Sequence, residues 1–317
     1  MDETRDYRRL LAEGVRAGLK RGWSGYLWMM KIILPISLFT ALIDWSGLLS
    51  HLDFLLTPLM GFLSLPPSAA LPLIAGMLSS VYAGIAAMAV LPFSAAQMTL
   101  MAVFILMCHS LLQEGIIQGQ SGIHPLKATL VRFVAAVATV LLIAPWVGSS
   151  PEMPAAAGGI AAAQPPFVEM LRHWAWATLM LSIKIFFIIM ALLIFLECLK
   201  SFDLVEGLVR SLGPFLKLMG LDHRVGFLWM TAVIFGLSYG GAIIVEEAKS
   251  GNLSRDELEI LHLSIGMNHS MVEDPPLFLP MGIHPLWIYL PRLIMAIVTV
   301  RLLRLWQRTR RRVSPAA

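Results

Sequence analysis

Two short runs hold the side chains best suited to chemistry: Cys108-His109-Ser110-Leu111-Leu112-Gln113-Glu114 and Asn268-His269-Ser270-Met271-Val272-Glu273-Asp274. Each places an imidazole and a hydroxyl a few residues ahead of a carboxylate. Histidine titrates near neutral pH, and ionisable groups inside apolar helices line pathways or relay protons. Imidazole and carboxylate also suit a divalent transition metal. At a spacing of four, as for His269 and Glu273, both groups share one helix face. At five, as for His109 and Glu114, the helix has to end there. The alternative is that these residues cap helix ends in the membrane interface, where polarity costs little.

The two runs belong to a duplication. Residues 109 to 146 return without a gap 160 positions later, and His109, Ser110, Gly122, Ile123, His124, Pro125, Arg132, Thr139 and Trp146 all recur. A repeat keeps what both halves need, so its matched polar residues are the strongest pointers to function. With small insertions the match extends upstream: Trp23, Lys31 and Asp44 pair with Trp176, Lys184 and Glu197, and Tyr82-Ala83-Gly84 pairs with Tyr239-Gly240-Gly241.

Composition sets the solvent. A chain of 317 residues that is 57% hydrophobic and 14% charged cannot stay soluble as a monomer. The expected fold is an all-α polytopic membrane protein. The runs Leu27 to Trp45, Leu126 to Val147, Trp174 to Leu196 and Leu286 to Leu305 are long enough to cross a hydrocarbon layer of roughly 30 Å. Two cysteines exclude a disulfide framework, and both lie in apolar runs as expected for buried thiols. No cleavable signal peptide is read at the N-terminus.

Charge divides the chain into a basic amphipathic arm (1–22), a first repeat (23–147), a flexible Pro/Ala/Gly linker (148–172), a second repeat (173–306) and a basic tail (307–317). The stretch from Gly148 to Glu169 has no lysine or arginine, whereas arm and tail are basic. By the positive-inside rule both termini face the cytoplasm and the linker lies outside. Each copy then crosses an odd number of times, three or five, and the copies form two inverted-topology repeats. In secondary transporters of that build the substrate lies near the midplane between the repeats. The tail is read as an anchor beside anionic lipid rather than a nucleic-acid site.

Each copy reads as five elements: a spanning helix, an amphipathic segment kinked or ended at Pro58 or Pro214, a glycine-broken stretch, a helix opened by a capping box (Ser94 with Gln97; Ser254 with Glu257), and a closing helix after Pro125 or Pro285. The broken stretches supply a second candidate site: Ser80, Tyr82 and Gly84 in one copy, Ser238, Tyr239, Gly240 and Gly241 in the other. Unwound backbone at membrane depth is tolerated where protein or a cavity satisfies it, and freed amides can bind solute. Close helix packing would use the same small residues. Arg132 and Arg292, two turns into the closing helices, are expected to meet an anion or a carboxylate, with Glu114 and Asp274 the natural partners. His124 and His284 are read as caps or ligands. A partner is expected for Lys184 in mid-helix, a solvated loop for Glu246, Glu247 and Lys249, and a structural role for His262.

These features resemble the nucleoside-recognition or Gate domain, which occurs in concentrative nucleoside transporters, in the gate region of the ferrous-iron transporter B and in spore maturation proteins A and B. The resemblance runs from Trp23 to Trp306. It implies a small-solute permease, nucleoside-like or cation-moving, in a bacterial inner membrane. The chain lacks the Gln-Ser-Glu-Ala-Pro-like signature of true nucleoside transporters, and no G-x-x-x-x-G-K-[ST] supplies a GTPase. The expected partners are lipid and a small-molecule or ionic substrate, with room for a homo-oligomer. No cofactor is certain beyond a divalent cation or coupled protons at His109, Glu114, His124, His269, Glu273, Asp274 and His284. The alternatives are an accessory scaffold and an intramembrane metalloenzyme. Enzymatic activity is not expected, because catalysis usually lets one copy decay and no H-E-x-x-H or G-x-S-x-G occurs.

Overall fold

The computed structural model describes residues 3–148, 165–204, 207, 211, 213–219, 221, 223–251 and 253–313. Most of the expected linker and the end of the tail lie outside them. Among the described residues the ordered elements are helices: α1 (Glu3–Trp45), α2 (Leu48–Phe62), α3 (Ala70–Leu78), α4 (Val81–Met88), α5 (Ala95–Met107), α6 (Leu111–Gln120), α7 (Pro125–Val147), α8 (Phe167–Ser201), α9 (Gly213–Met219), α10 (His223–Lys249), α11 (Arg255–Asn268) and α12 (Pro285–Val313), with 3-10 turns at Pro67–Ala69 and Pro275–Met281. Five stretches are long and apolar enough to cross a membrane, or six if the bent pair around residues 63–66 is one span. The protein is an all-α polytopic membrane protein.

The outermost pair, α1 and α8, runs side by side along much of its length. In lipid there is little hydrophobic drive between helices, so close contact comes from small residues. Gly14, Gly18 and Gly22 provide it. A Cβ at Gly18 would stand 2.4 Å from the Cα of Ile194, and one at Gly14 2.9 Å from the Cα of Cys198. The N-terminal arm is therefore not a separate element. It is the first half of α1, held against the C-terminal half of α8, while Phe39, Trp176, Phe187 and Phe195 face outward. Lys184 also points outward and is exposed, which corrects the expectation of a buried partner.

Inside this pair lie two nearly wholly buried helices. Every residue from Thr99 to Ser110 and from Leu258 to Met271 is buried. Both capping boxes form: the Ser94 amide donates to Gln97 Oε1 at 2.9 Å and the Ser254 amide to Glu257 Oε2 at 2.8 Å. Proline opens α7 and α12 as expected. Helix α5 packs on α7 and also on α12, and α11 packs on α12 and also on α7, so each closing helix touches both copies.

Three local expectations change. Pro58 lies within α2, which continues to Phe62, and the chain turns by 83° only afterwards. Glu246, Glu247 and Lys249 belong to the last turn of α10 rather than a loop. The fourth element of each copy is broken at its His-Ser, where α5 and α11 stop. His262 is buried with neither ring nitrogen hydrogen-bonded among the described residues, in keeping with a packing role.

Gly18→Val is expected to destabilise the protein by roughly 1–3 kcal/mol through overpacking. Gly61→Ala, where nothing lies within 4 Å, should leave the unfolding midpoint in detergent unchanged. Equal midpoints for both variants would contradict the α1–α8 contact.

Candidate functional site

The site begins with two helix breaks. Between α3 and α4 the backbone leaves helical geometry at Ser80, just past the end of α3, and α10 breaks at Gly236, with φ 75° and ψ 170°. A break strips the carbonyls one turn earlier of their donors, and a buried carbonyl needs a replacement. The chain after α5 and α11 supplies it. The Ser110 amide donates to Gly76 O at 3.1 Å and the Ser110 hydroxyl to Ser79 O at 3.0 Å. In the second copy the amides of Ser270 and Met271 donate to Ala232 O and Val233 O at 3.2 and 2.9 Å. To reach them both serines adopt left-handed backbone, φ 48° at Ser110 and 51° at Ser270. Gly236 is required twice over, by its positive φ and because a Cβ there would stand 2.8 Å from Ser270 Oγ.

The turns point the preceding histidines at each other. His109 Nε2 lies 2.9 Å from His269 Nε2. Each is the other's repeat counterpart, so a rotation axis relating the copies would pass between them. Each Nδ1 is 2.9 Å from the carbonyl four residues earlier, Ile105 O or Ile265 O. A carbonyl only accepts, so each Nδ1 carries a proton, and a ring that is neutral presents an Nε2 lone pair. Two lone pairs at that distance repel unless a proton or a cation joins them.

Two carboxylates complete the cluster. Glu114 Oε1 lies 3.4 Å from His109 Nε2 and 3.1 Å from His269 Nε2, while its Oε2 pairs with Arg132 Nη1 at 2.6 Å. Asp274 Oδ2 is 3.8 Å from His109 Nε2. The repeats thus pair His109 with His269 and Glu114 with Asp274, both at spacing five. Helix α11 ends at Asn268, so the helix face expected for His269 and Glu273 does not exist. Glu273 turns away and meets Arg21 at 3.2 Å.

The cluster opens on a cavity of about 310 Å³ whose lining includes Ser80, Tyr82, Ser110, Gly236, Glu273 and both histidines. A larger groove of about 660 Å³ between α1, α8 and the site shares Arg21, Trp28, Tyr82 and Glu273 with it. Those four residues form the neck between the two spaces. Arg21 is also held by Glu197 at 2.7 Å, and Trp28 stacks edge-on to Tyr82 with ring centres 5.4 Å apart. Arg21 and Trp28 were not legible as site residues, because Arg21 lies in the segment read as a basic amphipathic arm and Trp28 in an apolar run read only as a spanning helix.

Several expected site residues lie elsewhere. His124 and His284 are exposed at the starts of α7 and α12, where His284 Nδ1 accepts the Leu286 amide at 3.2 Å. His284 caps its helix, His124 occupies the N-cap position of α7 without a side-chain hydrogen bond to it, and neither is a ligand of the cluster. Gly84 is buried inside α4 against Ile105 and serves packing. The side chains of Ser238 and Tyr239, and Gly240, lie outside the described set. Gly241 is buried in the helix beyond the break.

Arg132 and Arg292 do not line the cavity. Arg132 donates to Met107 O and His109 O at 3.1 and 3.0 Å, and Arg292 to Met267 O and His269 O at 3.0 and 3.2 Å. They hold the ends of α5 and α11 and the histidine backbone from behind. The expected Arg132–Glu114 pair forms. Arg292 Nη1, by contrast, is buried without a hydrogen-bond partner among the described residues, because Asp274 is one methylene shorter than Glu114.

At sequence level the chain is 27% identical over 300 residues to the uncharacterized membrane protein YvoD of Bacillus subtilis, covering 93% of each chain. No protein-family model matches the chain, and no solved structure matches it. The similarity spans both copies.

Removing Arg132 strands a buried carboxylate, which typically costs about 3–5 kcal/mol. Arg132→Gln should therefore destabilise the protein more than Arg292→Gln in the same denaturation assay. An equal loss would argue against the Arg132–Glu114 pair. At the neck, Arg21→Ala should speed thiol-reagent labelling of a Ser80→Cys reporter in a Cys198→Ser background. Unchanged labelling would show that Arg21 does not obstruct the cavity.

Proposed function

We propose that this protein is a permease for a small solute in a bacterial cytoplasmic membrane, with the solute passing through the cavity where the two repeats meet. The observation that carries this reading is the contact between His109 and His269. Ionisable side chains from both copies converge in a buried cavity on the axis relating the copies, and transporters built from inverted repeats bind their cargo in that place. Broken helices flank the cavity, as such sites require. The groove beyond the neck gives the cavity a path outward between α1 and α8.

The same reading takes the copies as inverted and both termini as cytoplasmic, from the basic arm and tail. It also takes the Gate-like order of spanning helix, broken helix and His-Ser turn as a likeness of architecture rather than of cargo. A scaffold has no evident use for four ionisable residues buried around a cavity. An enzyme built on this cluster would need chemistry at one copy only, whereas both copies keep histidine, serine, carboxylate and arginine in corresponding places.

The test is uptake into proteoliposomes from a panel of nucleosides, organic acids and divalent cations. Wild-type protein should move at least one solute, and the His109→Ala/His269→Ala variant should fall to the rate of empty liposomes. His124→Ala/His284→Ala should keep wild-type uptake. Uptake of nothing on the panel, or uptake indifferent to the His109/His269 pair, would overturn the proposal.

A further inference from the structure

Resting on the permease reading, we infer that the cargo is a divalent transition-metal cation, held by His109 Nε2, His269 Nε2, Glu114 Oε1 and Asp274 Oδ2. Four observations lead there. The first is orientation: both Nδ1 atoms are committed to carbonyls, which is how metal-ligating histidines are normally fixed, with the lone pair on the other nitrogen facing the ion. Two such lone pairs converge in the cavity, and a cation relieves their repulsion.

The second is distance. The two Nε2 atoms and Glu114 Oε1 form a triangle with sides of 2.9, 3.1 and 3.4 Å. With metal–nitrogen bonds of about 2.0–2.1 Å, the shortest side subtends roughly 90° at an ion. That is the angle between neighbouring ligands of a six-coordinate site. The triangle has the form of two histidines and one carboxylate on a single face, which leaves other positions open to water or the fourth ligand. His109, His269 and Asp274 also present ligand atoms within 4.8 Å of one another, so Asp274 completes the set with a small shift.

The third is the outer shell. Arg132 takes Glu114 Oε2 and so aims Oε1 at the histidines. Arg132 and Arg292 grip the backbone carbonyls of His109 and His269. These supports lie behind the ligands and leave the cavity side free.

The fourth is charge. The cavity wall carries three carboxylates, Glu114, Glu273 and Asp274, against one guanidinium, Arg21. Arg132 and Arg292 stand behind the ligands and balance the remaining carboxylates, so carboxylate oxygens rather than guanidinium nitrogens face the space beside the histidines, which suits a cation and not an anion. Nitrogen ligands favour a transition metal over magnesium or calcium, which prefer an all-oxygen set.

The experiment uses the full chain in lipid nanodiscs, with Co²⁺ and Zn²⁺ as probes. One Co²⁺ per chain should bind, without a thiolate charge-transfer band from neighbouring Cys108. Zinc-edge X-ray absorption on the wild type should show two imidazoles in the first shell, a readout that needs no variant to fold. His109→Ala and His269→Ala should each weaken Co²⁺ binding at least ~100-fold, at or beyond the loss usual for outer-shell changes. His124→Ala/His284→Ala should bind as wild type does. Absence of stoichiometric Co²⁺, a sulfur ligand, or binding unaffected by the His109 and His269 changes would overturn the site. In proteoliposomes, uptake of a nucleoside or organic acid but of no divalent cation would overturn the cargo assignment and leave the permease standing. Stoichiometric Co²⁺ binding with no uptake of any solute would overturn the permease, and with it the assignment of the ion as cargo.

Discussion

The structure depends on how it satisfies two broken helices in an apolar medium. Once the backbone departs from helix at Ser80 and at Gly236, the carbonyls of Gly76 and Ala232 have no donor of their own, and an unpaired buried carbonyl costs about 1–3 kcal/mol. The donors come from the ends of α5 and α11, which must stop and turn left-handed at Ser110 and Ser270. Stopping those helices places His109 and His269 at their tips, on the axis between the copies. The chemistry of the site is therefore a by-product of backbone accounting: the turns that repair the breaks are the turns that aim the imidazoles.

Around that constraint the supports are arranged by copy, with swaps between copies. Arg132 and Arg292 each stitch a closing helix to the end of the buried helix of the same copy. Arg132 also lies against Gly266 of the other copy, where an added Cβ would stand 2.9 Å from its side chain. Glu114 crosses the axis to His269. The two copies thus cannot separate without exposing a guanidinium, a carboxylate and two imidazoles to hydrocarbon. Far from the axis, the α1–α8 contact through Gly14, Gly18 and Gly22 carries Arg21 to the neck of the cavity.

Much of this was legible in the sequence, and the limits have physical causes. Identity at fixed spacing found His109 and His269, and chemical complementarity found Glu114 for Arg132. The capping boxes and the prolines opening α7 and α12 act locally, so local patterns suffice. Spacing along a helix misled for Glu273, because the break that ends α11 depends on carbonyls 38 residues away, those of Ala232 and Val233. The break in the second copy fell at Gly236, at the edge of the small-residue stretch, where a positive φ is combined with contact to Ser270. Lys184 faces outward because the packing of α8 on α1 sets its rotation. The signal for that packing, glycine at every fourth position from Gly14 to Gly22, lies within a segment whose charge suggested a free arm.

The departure from two-fold symmetry lies in the carboxylates. Glu114 reaches both histidines and Arg132 at once, whereas Asp274, shorter by one methylene, stays 3.8 Å from His109 and leaves Arg292 Nη1 without a partner. Inverted repeats open to the opposite side by exchanging conformations. In the exchanged state Asp274 would take the role that Glu114 holds here, and to do so its backbone must move toward the axis by about the 1.5 Å of one carbon–carbon bond. That movement would bring a carboxylate within reach of Arg292 and relieve its buried nitrogen, while carrying the adjoining Glu273 away from Arg21 at the neck. One missing methylene thus distinguishes the two copies at the cluster, even though the repeats that build it are alike.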